Sequence, residues 1–218
     1  MTCVVAIDGP AGSGKSTVAA ALAAELGVPH VDTGAYYRAA TLAVLRHGAE
    51  PHDAAACARV VAACDIRRQG TRTLLNGVDV EAEIRGADVT RAVSAVSRHP
   101  EVRAHLVALQ RRQLGEVGAV VEGRDAGTVV ASDAPLKVWL TATARERAVR
   151  RAAQLGELDP EDVERHASDI ARRDAADALQ MVPAADAVEI DTTGRTITAV
   201  VADLLARARA VVGCEERR

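Results

Sequence analysis

Aromatic side chains are almost missing from this sequence, which holds one Trp, two Tyr and no Phe. Stacking platforms for single-stranded nucleic acid need several such rings, so that mode of binding is excluded. Lysine is nearly as scarce: Lys15 and Lys137 stand alone among 27 basic residues, the rest being arginine. With a net charge of −3 and a pI near 6.1, no global positive field draws a nucleic-acid polymer, and none is expected as a partner. No apolar run reaches membrane-spanning length, and the first strand pattern begins almost at residue 1, which leaves no room for a signal peptide. The four cysteines, Cys3, Cys57, Cys64 and Cys214, form no CxxC pair and imply neither a zinc site nor a disulfide framework. The six histidines lack metal-ligand spacing. The expectation is a cytoplasmic protein with reduced thiols and no membrane contact.

What is present is an ordinary share of apolar residues, 49% of 218, enough for one substantial core with a small inserted lobe. Against the lysine-poor background, Lys15 is conspicuous. It lies in Gly9-Pro10-Ala11-Gly12-Ser13-Gly14-Lys15-Ser16-Thr17, between the β-branched run Val4–Asp8 and a helical pattern from Lys15 to Leu26. Strand, glycine-rich turn and helix in that order, with Gly9, Gly14, Lys15 and Ser16 at the required spacing, make a phosphate-binding loop. Its glycines let backbone N–H groups turn inward, and the helix N-terminus faces the same anion. Lys15 reaches the β- and γ-phosphates and the Ser16 hydroxyl is placed to ligate Mg²⁺. A bound nucleoside triphosphate is implied.

Val28–Val31 reads as the next strand, ending in Asp32-Thr33-Gly34 ahead of a helix that carries Arg38 and runs to about His47. Ligands gather at the carboxyl ends of strands in open α/β sheets, which places Asp32, Thr33 and Arg38 beside the loop; a solvated helix cation is the plainer reading of Arg38. An alanine-rich helix over 51–64 precedes a hairpin-like segment, Asp65–Val80, with the turn signal Asn76-Gly77. Short helical patterns follow over Asp88–Ser97, with Ser94, and from Pro100 to about Gly115, with Arg103. Ala119–Glu122 is a buried type of strand that runs into Gly123-Arg124-Asp125-Ala126-Gly127. A charged pair between glycines just past a core strand is a site candidate, or else a structural ion pair. After a strand at Leu136–Leu140, a helix over Thr143–Leu155 carries Arg147 and Arg151 on one face. A second helix, capped by Asp159 with Pro160 in its first turn, bears Arg173, Asp174 and Asp177 and is broken by Pro183. Two arginine-bearing helices joined by a short turn form a lid over a triphosphate, or merely i, i+4 pairs. Ala187–Ile190 and Thr196–Val212 supply a last strand and helix, and Cys214–Arg218 a frayed tail.

Five strand patterns, starting near residues 3, 28, 119, 136 and 187, define an α/β fold with a doubly wound five-stranded parallel sheet. Its core takes residues 1–57, 96–155 and 181–218, with a substrate-side insert over about 58–95 and a lid over about 156–180. Size, insert and lid favour a small-molecule kinase over a GTPase or motor.

From about Cys3 to Leu205 the chain resembles bacterial cytidylate kinases, members of the nucleoside monophosphate kinase group. The resemblance rests on Gly9–Thr17, Asp32–Arg38, Asp79–Arg85, Ser94 with Pro100 and Arg103, Glu122–Val130, Arg147–Arg151, Arg173-Asp174 and Pro183–Ala187. It implies transfer of the γ-phosphoryl of ATP, with Mg²⁺, to CMP or dCMP by a monomer whose partners are these nucleotides. It implies that Thr33, Ser94, Arg103 and Asp125 surround cytosine, that Arg38 and Arg124 hold the acceptor phosphate, and that Arg173 and Asp177 lie near the sugar. Arg147 and Arg151 resemble the lid residues that approach ATP. Asp125 suits cytosine, whose N4 amino group donates where uracil presents an acceptor. Lys15, Arg38, Arg124, Arg147, Arg151 and Arg173 are then the catalytic cations, and no general base is needed.

Two positions depart from the family pattern. Gln180 stands where the family carries an arginine, in a loop about four residues shorter, and Ala126 replaces a larger apolar residue. These keep two alternatives open: a divergent paralogue acting on a modified pyrimidine nucleotide or phosphonate-like acceptor, and a nucleotide-binding regulator with little turnover.

Overall fold

The structure is a computed structural model, and residues 3–114, 118–157 and 159–211 are described. The sequence readings at Gly115, Leu158 and residues 212–218 lie outside them.

Strand β1 (Cys3–Asp8) is apolar almost throughout because it lies between two neighbours and is covered on both faces. It pairs in parallel with β6 (Gly118–Gly123) on one side and β7 (Leu136–Thr141) on the other. With β2 (His30–Asp32) and β8 (Val188–Asp191) these form a five-stranded parallel sheet in the order β2-β6-β1-β7-β8. The register sets Asp8 level with both Gly123 and Trp139. The loops that leave β1 and β6 therefore start from the same level of the same sheet end, where ligands bind in open α/β folds.

The chain divides into two units, the described residues of Met1–His30 with Glu116–Arg218 and those of Val31–Gly115. In the first, α1 (Lys15–Leu26) and α8 (Ile197–Val211) pack together with the sheet. Ile7, Leu22, Leu140 and Leu204 are fully buried in that core, each worth about 1.5–3 kcal/mol of burial. Strand β7 shows why: Leu136, Val138 and Leu140 alternate inward while Lys137, Trp139 and Thr141 stay half-buried. Helices α6 (Ala144–Leu155) and α7 (Pro160–Ala176) complete the unit and pack on each other. The Thr143 side chain accepts from Glu146 N–H to start α6, and Gly156, at φ 73°, ends it.

In the second unit, α2 (Thr33–Arg46) starts at an Asp32 cap that accepts from Ala35 N–H and is buried over most of its length. Around it lie α3 (Ala54–Ala62), a 3₁₀ turn (Glu83–Arg85), α4 (Ala87–Val96) and α5 (Pro100–Gln113). The expected hairpin is a three-stranded antiparallel sheet, β3 (Ile66–Gln69), β4 (Arg72–Leu75) and the short β5 (Val78–Asp79). Asn76 (φ 51°) and Gly77 (φ 80°) both take left-handed backbone, as a two-residue connection between β4 and β5 demands.

Three other local readings change. Helix α7 stops at Ala176, well before Pro183, and Asp177 caps its C-terminus. Asp159 takes the N-cap position of α7 without a side-chain capping bond. Cys3 is disulfide-bonded, against the expectation of reduced thiols, while Cys57 and Cys64 are free and buried. Residue spacing carries no information on that pairing, since it depends on which chain segments meet.

Candidate active site

The phosphate loop rests on backbone. Gly9, at φ 147°, passes so close to β7 that a Cβ would fall 2.1 Å from the Leu140 carbonyl oxygen. Only glycine fits there. Gly14, at φ 92°, turns the chain into α1. From behind, the Ser13 carbonyl accepts from Arg150 Nη1 (3.3 Å) and from Thr192 Oγ1 (3.2 Å). Arg150 also donates to the Thr192 carbonyl (2.7 Å), so α6 and the end of β8 brace the loop together. Lys15 folds over its own loop and donates to the Pro10 carbonyl at 2.8 Å. Ser16 and Thr17 stand exposed in the first turn of α1.

Beside this loop the chain turns sharply after β6. Asp8, almost fully buried, accepts from Ala126 N–H and Gly127 N–H, both at 2.7 Å. These bonds hold the start of a short π-helical turn, Ala126–Val130, and so fix the backbone of Asp125 just before it. Asp125 is buried, and its carbonyl accepts from Val129 N–H at 2.8 Å. Arg124 donates to the Gly9 carbonyl at 3.2 Å. The last residue of β1 holds Ala126 and Gly127 and the first of the phosphate loop holds Arg124, so the Arg124–Gly127 turn is fixed at both ends.

Helices α6 and α7 close the cluster. Arg147 donates to the Ala11 carbonyl (3.0 Å) and ion-pairs with Asp174. Arg124 pairs with Asp177 at 3.1 Å and with Asp174 at 3.5 Å, and its Nη1 lies 3.1 Å from the Met181 sulfur. Arg173 is half-buried, and its Nε has no partner among the described residues. Arg151 contributes a repelling charge to Arg173.

So many cations together perturb one another. Burial and the Arg124 charge lower Lys15 to about 8, against the pull of Glu122, Asp8 and Asp174. Burial, then Arg124, also lowers Arg173. Asp8 is raised to about 6 by burial, because its two backbone bonds only partly compensate. Glu122 behaves oppositely. Burial raises it, but His30, the Lys15 charge and a bond from Ser16 hold it below the usual range. Ser16, Asp8 and Glu122 thus offer only hard oxygens near Lys15, a set that fits Mg²⁺ bound mainly through nucleotide phosphates. Among the described residues no group of three or more His, Cys, Asp or Glu side chains could hold a metal by itself.

The remaining sequence candidates belong to the second unit. Asp32 caps α2 and pairs with Arg85 at 3.3 Å, and Thr33 follows it in the first turn. Arg38 donates to the Ile84 carbonyl and to Thr90 Oγ1, both at 3.1 Å, which ties α2 to α4. Ser94 lies half-buried one turn further along α4. Arg103 stacks over the Tyr37 ring, 5.5 Å from its centroid.

Asp8, Arg150, Asp174 and Thr192 have no role that the sequence alone assigns. An acidic residue closing an apolar strand was a signal for Asp8. Arg150 could not be told from its neighbours by helical spacing, and Thr192 carried no signal at all.

A parallel sheet whose first strand opens into this loop, with a lysine over it and arginines of α6 and an aspartate of α7 against it, defines a phosphate-loop protein built to handle a nucleotide's phosphates. The family can be given too. The cytidylate kinase family model matches residues 5–210, and the chain belongs to that family. It is 48% identical to the cytidylate kinase of Mycobacterium leprae (strain Br4923) over 93% of each chain. It is 50% identical to that of Mycolicibacterium paratuberculosis (strain ATCC BAA-968 / K-10) over 91% of each, and 50% identical to that of Rhodococcus opacus (strain B4) over 93% of each. Among the described residues no helix is long and apolar enough to cross a membrane.

Proposed function

We propose that this chain transfers the γ-phosphoryl group of ATP to CMP, and to dCMP, giving ADP and the corresponding diphosphate. The observation that carries this reading is the family match along residues 5–210. An oxygen of the CMP phosphate attacks the γ-phosphorus, and the bond to the β,γ-bridging oxygen breaks toward ADP. The attacking oxygen is already anionic, so the protein's task is alignment and charge neutralisation.

The parts divide by position. Loop N–H groups and Lys15 take the ATP phosphates, while Arg147, Arg151 and Arg173 approach from α6 and α7. Arg124, with Arg38 of the second unit, takes the acceptor phosphate. Asp125, Thr33, Ser94 and Arg103 read the base, with Asp177 and Arg173 at the sugar and Asp32 supporting Thr33. Ser16 would hold Mg²⁺, which spreads phosphate charge when bound. The insert over about 58–95 serves the acceptor and the lid over about 156–180 the donor, in a monomeric protein.

One observation favours a second reading. Gln180 stands in the arginine position of the family pattern, Leu179 beside it is 90% exposed, and the Met181 sulfur rests on Arg124. A shorter, less cationic segment next to Arg124 suits a modified pyrimidine nucleotide or phosphonate-like acceptor, or a regulator with little turnover. ADP release with ATP, Mg²⁺ and CMP, dCMP, UMP, AMP or GMP decides. Selective turnover of CMP and dCMP is expected. ATP binding without turnover of any acceptor would replace it with the second reading.

A further inference from the structure

Asp174 lies in the last turn of α7, and its carboxylate meets three separate pieces of the first unit. Oδ1 accepts from the Ala11 N–H of the phosphate loop at 3.2 Å and lies 3.5 Å from Arg124 Nη1. Oδ2 pairs with Arg147 Nη1 of α6. The same Arg147 nitrogen donates to the Ala11 carbonyl at 3.0 Å, so both backbone groups of Ala11 are held by one ion pair. Gly12 leaves the room for this, since a Cβ there would fall 3.0 Å from Arg147 Cβ.

From this geometry we propose that Asp174 is a positioning residue for phosphoryl transfer. It fixes Arg147, Arg124 and the tip of the phosphate loop relative to one another before the triphosphate arrives. The proposal rests on the reading of the chain as an ATP-dependent nucleotide kinase.

Without an anion, Lys15, Arg124, Arg147, Arg151 and Arg173 repel one another across a partly desolvated site. Asp177 neutralises Arg124 from the C-cap of α7, but among the described residues only Asp174 joins a guanidinium on α6, one on the β6 turn and a loop N–H. Its bonds do not exhaust Arg147, whose Nε is buried and has no partner among the described residues. Part of that guanidinium is left for a ligand while the rest is anchored. An ordering of this kind lowers the reorganisation needed when charge develops on the transferring group.

The test compares wild type with Asp174→Asn, Arg147→Ala and the double variant, with Asp174→Glu as a second probe of the carboxylate. Titration calorimetry with ATP and Mg²⁺ gives affinity and active fraction, and steady-state kinetics give kcat and KM for CMP. Asp174→Asn is expected to weaken ATP about tenfold and to lower kcat per active site about 100-fold, with KM for CMP moved less than about threefold. Asp174→Glu should recover part of kcat. The double variant should be no worse than the poorer single one, because Arg147 acts through the position Asp174 gives it. Losses that multiply would overturn the proposal, as would wild-type kcat in Asp174→Asn. Tighter ATP binding in Asp174→Asn would also overturn it, by showing the carboxylate to be a competitor for the phosphate. If the wild type binds ATP and leaves CMP untouched, the kinase reading fails, and the affinity cycle alone still decides whether Asp174 and Arg147 act as one unit.

Discussion

Replacing Asp8 by Asn separates stability from function, and the structure gives the size of each effect. The carboxylate accepts two backbone N–H groups at 2.7 Å, and both are needed to hold the turn that carries Arg124 and Asp125. Asparagine offers one oxygen and one NH₂, so either Ala126 or Gly127 faces a donor with a donor. An unsatisfied buried donor costs about 1–3 kcal/mol. Against this, burying the charge of Asp8 raises its pKa from 3.8 to about 6, a penalty of about 3 kcal/mol at neutral pH that Asn does not carry. The two terms nearly cancel, and urea denaturation at pH 7.5 should find the variant within about 2 kcal/mol of wild type. Activity has no such compensation. With one side of the turn released, kcat/KM for CMP should fall about 100-fold. The pH dependence supplies the sign. A carboxyl whose folded pKa is raised contributes stability that is fully present below pH 3.8 and is lost as pH rises through about 6. Moving from pH 7.5 to pH 5 should therefore improve wild type relative to Asp8→Asn by about 1.4 kcal/mol. A stability difference that does not change with pH, or a variant with wild-type kcat/KM, would refute the reasoning.

Lys15→Ala should abolish turnover while leaving the fold intact by circular dichroism, and wild-type kcat/KM for ATP should fall as pH rises through about 8, where Lys15 loses its proton. Asp125→Ala should reduce kcat/KM for CMP far more than for UMP, by about tenfold or more in the ratio, and an equal loss for both would remove Asp125 from base discrimination. Gly9→Ala should cost about 3 kcal/mol, roughly 10 °C in a thermal melt, because its Cβ meets the Leu140 carbonyl and its φ suits only glycine.

The strand, loop and helix around Lys15 were legible because their chemistry is local: the spacing of four residues specifies the turn, the helix start and the anion they face. The parallel sheet was legible too, since β-branched runs alternating with helical patterns leave little choice of topology. The end of α7 was not. Residues 177–182 contain no glycine or proline, and nothing in their propensity stops a helix. What stops it is tertiary: Asp177 is drawn to Arg124, more than 50 positions earlier, and the chain goes on as turns in which Gln180 and Met181 N–H groups donate to the Asp177 carbonyl. The partners of Asp8 and Asp174 are hidden for the same reason. Each aspartate bonds a backbone N–H more than 100 residues away, and sequence spacing says nothing about partners at that distance.

The phosphate loop is seated on main-chain atoms. Gly9 lies against the Leu140 carbonyl, Lys15 reaches the Pro10 carbonyl, and Ser13 is fastened through its own carbonyl. Every residue has a carbonyl, so side chains on β7 can drift in sequence without moving the donor site. The side chains that hold the loop from elsewhere, Arg147, Arg150, Asp174 and Thr192, have no such latitude. A chain built this way can change its side chains along β7 and still keep the seat of its phosphate loop.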